Sequence, residues 1–164
     1  MAEYYRPNAG IVVFNRQRKV LLCLRNDIAD AWQFPQGGIE KGEIPLQAAL
    51  RELKEETSIT SVIPVKTLTQ PARYRFTPKI IQSMRQRGFE NVGQDMYWNL
   101  VFFTGSDAEI NLQTENQEFS AYRWGTLTEA HQLIAKFKKP AYAVAVQEFA
   151  PIIAQYIVPD EEKV

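Results

Sequence analysis

The sequence predicts an α+β layered sandwich, with helices packed on a mixed β-sheet. Three features point there: short apolar β-type runs spread along the chain, one helical segment early among them, and two apolar-rich helical segments at the end. Residues 10–14 (GIVVF) and 20–24 (VLLCL) flank the polar turn Asn15-Arg16-Gln17-Arg18 and read as a hairpin. Trp32-Gln33-Phe34 then leads through Pro35 into Gly37-Gly38. Pro45 suits the first turn of a helix, where its missing N–H has no partner to lose, and a helix is expected from there to about residue 57. Strands are expected at 62–69, 96–104 and 119–124. A helix over 128–137 opens on Thr128 as its cap, and Pro140 starts another that runs towards residue 157. The 164 residues fit one domain, 1–164, and 45% apolar residues with 12% aromatics supply its core.

With 19 basic and 19 acidic residues the formal net charge is zero, so bulk attraction to polyanions is excluded and any nucleic-acid contact must be local. The lone Cys23 sits in an apolar run and reads as a buried small hydrophobe; disulfides within the chain are excluded. The N-terminus lacks the apolar stretch of a signal peptide, and no run approaches the roughly 20 residues of a membrane span. A cytoplasmic location, with no membrane partner, is the expectation. His131, the only histidine, is expected at the surface.

The most informative stretch is GGIEKGEIPLQAALRELKEETSI, residues 37–59. At about 100° per residue, Glu55 and Glu56 fall roughly 60° behind and 40° ahead of Glu52, while Leu46, Leu50 and Leu53 gather on nearly the opposite side. One edge of this helix can bury while the other collects negative charge. Like charges so spaced cost about 0.2–0.5 kcal/mol per pair, which a bound cation reverses. Carboxylates without Cys or His favour Mg²⁺, Mn²⁺ or Ca²⁺ over zinc, with Mg²⁺ the default.

Taken alone, ELKEE also fits a solvated acidic face. The wider pattern of Gly37, Glu43, Arg51-Glu52, Glu55-Glu56 and Ile59 resembles the Nudix box, with Ser58 where that family has a helix-ending glycine. The words Tyr5-Arg6-Pro7-Asn8, Trp32-Gln33-Phe34-Pro35-Gln36-Gly37-Gly38, Asp107-Ala108-Glu109-Ile110-Asn111 and Phe137-Lys138 extend the likeness along most of the chain. Together they resemble the bacterial RNA pyrophosphohydrolase branch, also described as diadenosine polyphosphate hydrolases.

The resemblance implies a Nudix-type α/β/α sandwich and a Mg²⁺-dependent attack of water on a phosphoanhydride, with Mn²⁺ as a substitute. It implies a metal shell of Glu52, Glu55 and Glu56, joined by the Gly37 carbonyl and by Glu118. Glu52 is the first choice of general base and Glu118 the second; Arg51 is expected to pair with a carboxylate such as Glu43 and orient the ligands. The reaction implied is removal of pyrophosphate from 5′-triphosphorylated RNA, leaving a 5′-monophosphate that exposes the transcript to decay. Arg6 matches a phosphate-contacting position, and Arg25 with Phe137-Lys138 match positions that hold a base. Taken singly, Phe137 also fits a core cap, Arg25 a solvated strand-end charge, and Trp32 either a structural role or the substrate wall. Ala31 replaces a Ser common in this branch, which removes one polar contact to the base.

Residues 71–94 carry Arg73, Arg75, Lys79, Arg85 and Arg87 against the single acid Glu90, with Tyr74, Phe76 and Phe89 between. Read as a long loop, this segment can hold phosphates and stack bases, Arg73 and Arg75 first, or it can be a solvated or self-association surface; a homodimer is left open. Two other functions stay in view: hydrolysis of free nucleotides such as diadenosine tetraphosphate, ADP-ribose or oxidised nucleoside triphosphates, and a non-catalytic nucleotide sensor. The complete set of box carboxylates argues against the sensor.

Overall fold

A computed structural model describes residues 2–160. Its centre is a sheet whose main path runs β3 (Trp32–Gln33), β2 (Val20–Arg25), β1 (Tyr5–Phe14), β7 (Gly93–Phe103), β5 (Val62–Thr67). Off this path, β4 (Gln36–Gly38) pairs with β1, β6 (Ala72–Arg75) with β7, and β8 (Phe119–Gly125) with β2. The sheet is mixed: β1 and β7 run parallel, from Tyr5 opposite Gly93 to Phe14 opposite Phe102, and the other pairings are antiparallel.

Both faces of these central strands are covered, so they read as continuous apolar runs. Met96, Trp98, Leu100 and Phe102 point to one side, where α4 (Lys139–Gln155) brings Tyr142 and Phe149. There the Tyr142 ring stacks on Phe34 at 5.1 Å and its hydroxyl accepts from the Phe34 N–H at 2.9 Å, while the Trp98 indole N–H donates to the Ala141 carbonyl. Val101 and Phe103 point to the other side with Ile11, Val13 and Cys23, against Ala48, Ala49 and Leu53 of α1 (Pro45–Thr57). Cys23 is fully buried, which pushes its thiol up. Among the described residues no helix is long and apolar enough to cross a membrane.

Four sequence expectations change. The turn at residues 15–19 closes as expected, with the Asn15 N–H donating to the Lys19 carbonyl at 2.9 Å, but β1 and β2 share only the Phe14–Val20 pair. The strands splay because β4 takes the other end of that β1 edge and β8 takes β2. The basic segment is not a loop: it holds β6 and α2 (Pro78–Gln86), a helix capped by the Thr77 hydroxyl and anchored by buried Ile81. The next helix is α3 (Leu127–Leu133), capped by Thr126 rather than Thr128, and a separate 3-10 turn at Lys136–Lys138 precedes α4. His131 is half-buried rather than at the surface.

Candidate active site

The turn between β4 and α1 is built by glycine and then locked by the helix. A Cβ at Gly37 would overlap the Glu52 carboxyl group, so the backbone of β4 lies directly against that side chain. Gly42 has φ +86°, a left-handed backbone that favours glycine although a Cβ there would meet no neighbour within 4 Å. The helix opens with Pro45 in its first turn and the Ile44 N–H donating to Gln47 Oε1 at 3.0 Å.

At the other end Ser58 adopts the left-handed conformation, φ 69°, that the missing glycine would have taken. Its N–H bonds the Lys54 carbonyl at 2.9 Å and its hydroxyl donates to the Asn111 carbonyl at 2.8 Å. The turn therefore survives the substitution, tied down by the segment that follows β7. There Glu109 accepts from the Thr60 and Ser61 N–H groups at 2.8 and 2.9 Å and from the Ser61 hydroxyl at 2.6 Å. Within Asp107-Ala108-Glu109-Ile110-Asn111, Glu109 and Asn111 thus clamp the end of α1.

Arg51 is the hub of the acidic residues. Its Nε and Nη2 engage both oxygens of Glu43 at 2.7 and 3.0 Å, Nη2 also reaches the Gly38 carbonyl at 2.9 Å, and Nη1 reaches Glu52 Oε1 at 2.9 Å and Glu55 Oε2 at 3.3 Å. This guanidinium holds Glu43 below the usual carboxylate range. One side chain thus ties loop, strand and helix together in a forked geometry that lysine cannot reproduce.

The three helix carboxylates are not equivalent. The side chain of Glu55 is 57% exposed at the flank, that of Glu52 15%, and Glu56 as a residue only 4%. Burial raises Glu52. Burial raises Glu56 much further, with the neighbouring Glu118 and Glu52 carboxyl groups adding to it. Glu118 comes from the loop before β8, held where the Asn26 N–H donates to its carbonyl at 2.9 Å. Glu56 Oε2 meets no donor among the described residues. A buried carboxylate facing two acids without a donor is expensive unless a proton or a cation joins it. Glu52, Glu56 and Glu118 therefore form one electrostatic unit, with Glu55 beside it on Arg51. Among the described residues no group of three or more His, Cys, Asp or Glu side chains is already placed to hold a metal ion.

A second group lies across β4. Register puts Asn8, Gly10, Gln36 and Gly38 on the sheet face opposite Gly37 and Glu52. A Cβ at Gly38 would strike the Arg6 guanidinium, so Arg6 lies on the strand that feeds the box. Gln36 Nε2 donates to Tyr74 Oη at 3.3 Å and to Gln94 Oε1 at 3.1 Å, while Asn8 Oδ1 and Gln36 Oε1 are buried without a donor among the described residues. Lys138 is buried, its ammonium over the Tyr74 and Phe137 rings at 5.7 and 5.9 Å, and Phe137 packs on Tyr74 and Phe76. Burial, helped by the nearby Arg25 charge, lowers Lys138 to about 8. Arg25 forks onto Asp27 at 2.9 and 2.7 Å.

Arg73 and Arg75 point the other way from Tyr74 and are already engaged. Arg73 forks onto Asp95 and lies 3.8 Å over the Tyr5 ring; Arg75 pairs with Glu3 at 2.7 Å. Trp32 packs at the core edge with Arg123 5.1 Å over its ring. Sequence reasoning gave Tyr74 no place of its own and assigned no role to Gln94 or Asp27. Only the period-two alternation of β6 and β7 could have drawn out the first two, and Asp27, two residues after Arg25, gave no signal.

Compared with known proteins, residues 4–145 match the NUDIX domain. The chain is 39% identical over 152 residues to Nudix hydrolase 26, chloroplastic, of Arabidopsis thaliana, covering 90% of this chain and 70% of that protein. It is also 39% identical over 152 residues to the RNA pyrophosphohydrolase of Sphingopyxis alaskensis, covering 91% of this chain and 95% of that one. Among solved structures, the dihydroneopterin triphosphate pyrophosphohydrolase of E. coli superposes with TM-score 0.63 at 22% identity over 89% of this chain and 99% of that chain, a likeness of fold. The box geometry, the mixed sheet between helices and the match over most of the length make this chain a member of the NUDIX family.

Proposed function

We propose that this protein is an RNA 5′-pyrophosphohydrolase: it cleaves a phosphoanhydride of a 5′-triphosphorylated RNA, releasing pyrophosphate and leaving a 5′-monophosphate. Members of the family generally depend on a divalent metal. The observation that carries the reading is buried Glu56, without a donor on Oε2 and flanked by Glu118 and Glu52, which fits a site completed by a hard cation. Mg²⁺ is the ion proposed, with Mn²⁺ able to replace it; Glu52, Glu56 and Glu118 would hold it, with Glu55 and the Gly37 carbonyl beside them. When bound it neutralises phosphate charge and acidifies water.

The protein's own groups supply the rest. Arg51 fixes Glu52 against Gly37, and Glu52 accepts the proton of the attacking water, with Glu118 the second candidate. Arg6, lying on Gly38, offers a cation to the phosphate chain. Arg25, Phe137 and Lys138 border a place for a base near the 5′ end, with Asn8 Oδ1 and Gln36 Oε1 as unused acceptors on the same sheet face as Arg6. Arg73 and Arg75 stand at the margin, ion-paired with Asp95 and Glu3; reversing both to Glu leaves those acids unpaired and is expected to weaken binding of triphosphorylated RNA, and unchanged affinity removes them from the site. The whole chain acts as one catalytic domain, in the cytoplasm. The RNA pyrophosphohydrolases among its relatives, such as that of Caulobacter vibrioides at 40% identity over 149 residues, support RNA over free nucleotides. The deciding experiment is a competition in Mg²⁺ between triphosphorylated RNA and diadenosine tetraphosphate, ADP-ribose and free nucleoside triphosphates. Preferential consumption of the free nucleotides overturns the assignment.

A further inference from the structure

Between β6 and α2 runs an open groove of about 600 Å³, walled by Arg75 on one side and by Ile81, Gln82, Arg85 and Gln86 on the other. Lys79, Arg85 and Arg87 are exposed and make no ion pair among the described residues. Two nearby acids are already spent, Asp95 on Arg73 and Glu3 on Arg75, which leaves Glu90 as the sole acid of residues 71–94. Phe89 is 41% exposed with the Arg87 guanidinium 5.6 Å from its ring centre, a flat apolar face beside a fixed charge. The groove opens beside the start of β1: Arg75 reaches the Tyr5 hydroxyl at 3.4 Å and Arg73 lies on the same ring, while Arg6, the next residue, turns to the opposite face of the strand.

We propose that this groove, with the residues that follow α2 at its end, binds single-stranded RNA downstream of the 5′ end: Arg85 in the groove and Arg87 beyond it on phosphates, Phe89 stacking on a base, and Gln82 and Gln86 as adaptable polar contacts. Unpaired cations alternating with an exposed aromatic suit a flexible strand, whose phosphates and base faces repeat at short intervals, better than a duplex. The inference rests on RNA being the substrate, and its role is affinity for longer chains: the groove lies outside the carboxylate site and touches none of its residues.

The test separates the two readings. Binding of a short 5′-hydroxyl single-stranded RNA, which offers no scissile bond, is measured by fluorescence anisotropy for the wild type, the R85E/R87E variant and the milder R85A/R87A variant. The wild type is expected to bind with a steep salt dependence, and the variants to show a slope shallower by about 0.7 for each phosphate they no longer neutralise. In parallel, KM is measured for a triphosphorylated dinucleotide and for a longer triphosphorylated strand. The wild type should show the lower KM for the longer strand, and both variants should lose that advantage while turning over the dinucleotide at the wild-type rate. Equal binding of the 5′-hydroxyl strand by wild type and variants, or a wild-type KM independent of length, overturns the groove. If triphosphorylated RNA is not hydrolysed at all, the substrate assignment falls, and the anisotropy result still decides whether the groove binds RNA.

Discussion

Replacing Glu56 by Gln separates the cost of the site from its use. The residue is 4% exposed, its Oε2 lacks a donor among the described residues, and burial, with the acids around it, raises it far above the usual carboxylate range. A group raised in the folded state binds a proton there that the unfolded chain has released, so without a cation its stabilising share is full below the unfolded value and disappears as pH rises through the folded one. Glu56→Gln keeps the shape, removes that titration and supplies an amide donor towards Glu52 and Glu118. Gaining one satisfied buried hydrogen bond is worth about 1 kcal/mol. For a chain of this size that is about 2–4 °C in melting temperature. The metal-free variant should therefore melt above the wild type and show a flatter profile from mildly acidic to mildly alkaline pH. Cation binding stabilises the wild type by about 2.7 kcal/mol at one hundred times Kd, or about 5–11 °C. The variant should lose most of that rise, and RNA turnover with it. Differential scanning fluorimetry with and without Mg²⁺, beside a turnover assay, reads all three quantities. An undiminished Mg²⁺ shift in the variant, or none in the wild type, refutes the reasoning.

Arg51→Lys keeps the charge but loses the fork to Glu43 and the simultaneous reach to Gly38 and Glu52; turnover should fall about 10–100-fold with the melting temperature nearly intact. Ser58→Ala keeps the left-handed backbone and loses the bond to the Asn111 carbonyl, costing about 1 kcal/mol in urea unfolding. Ser58→Gly relieves the backbone instead and should land within about 0.5 kcal/mol of the wild type. Burial holds Lys138 at about 8 rather than 10.5, so across that window the unfolded chain carries a proton that the folded one has lost, and stability rises with pH. The penalty, full below pH 8, corresponds to about 3 kcal/mol before about 1 kcal/mol of offset from the ring contacts. Lys138→Met should therefore be more stable than the wild type at neutral pH, show a flat profile from 8 to 10.5, and bind triphosphorylated RNA more weakly.

Much of the placement of the candidate site was readable from residue order because the box is local. The spacing of Glu52, Glu55 and Glu56 follows from the helical repeat, and the lock of Arg51 on Glu43 spans only two turns and a loop. The amphipathic wheel placed the leucines correctly towards the core, but it treated the three carboxylates as one face. Only the approach of Gly37 and Glu118 divides them into a buried, a half-buried and an exposed group. The basic segment misled for the opposite reason. Its strand alternation covers just four residues, Ala72–Arg75, and is recognisable only against β7, which lies some twenty residues later in the chain.

By itself the sequence determined the family, the helix that gathers three carboxylates and the layered α+β class, since these depend on short-range periodicity and on residues close in the chain. Tertiary structure decided which carboxylate is buried, that Arg73 and Arg75 are held in ion pairs while Arg85 and Arg87 make none among the described residues, and that Gln36, Tyr74 and Gln94 meet. Those outcomes depend on strand register and on burial, which bring together groups tens of residues apart and which no local pattern encodes.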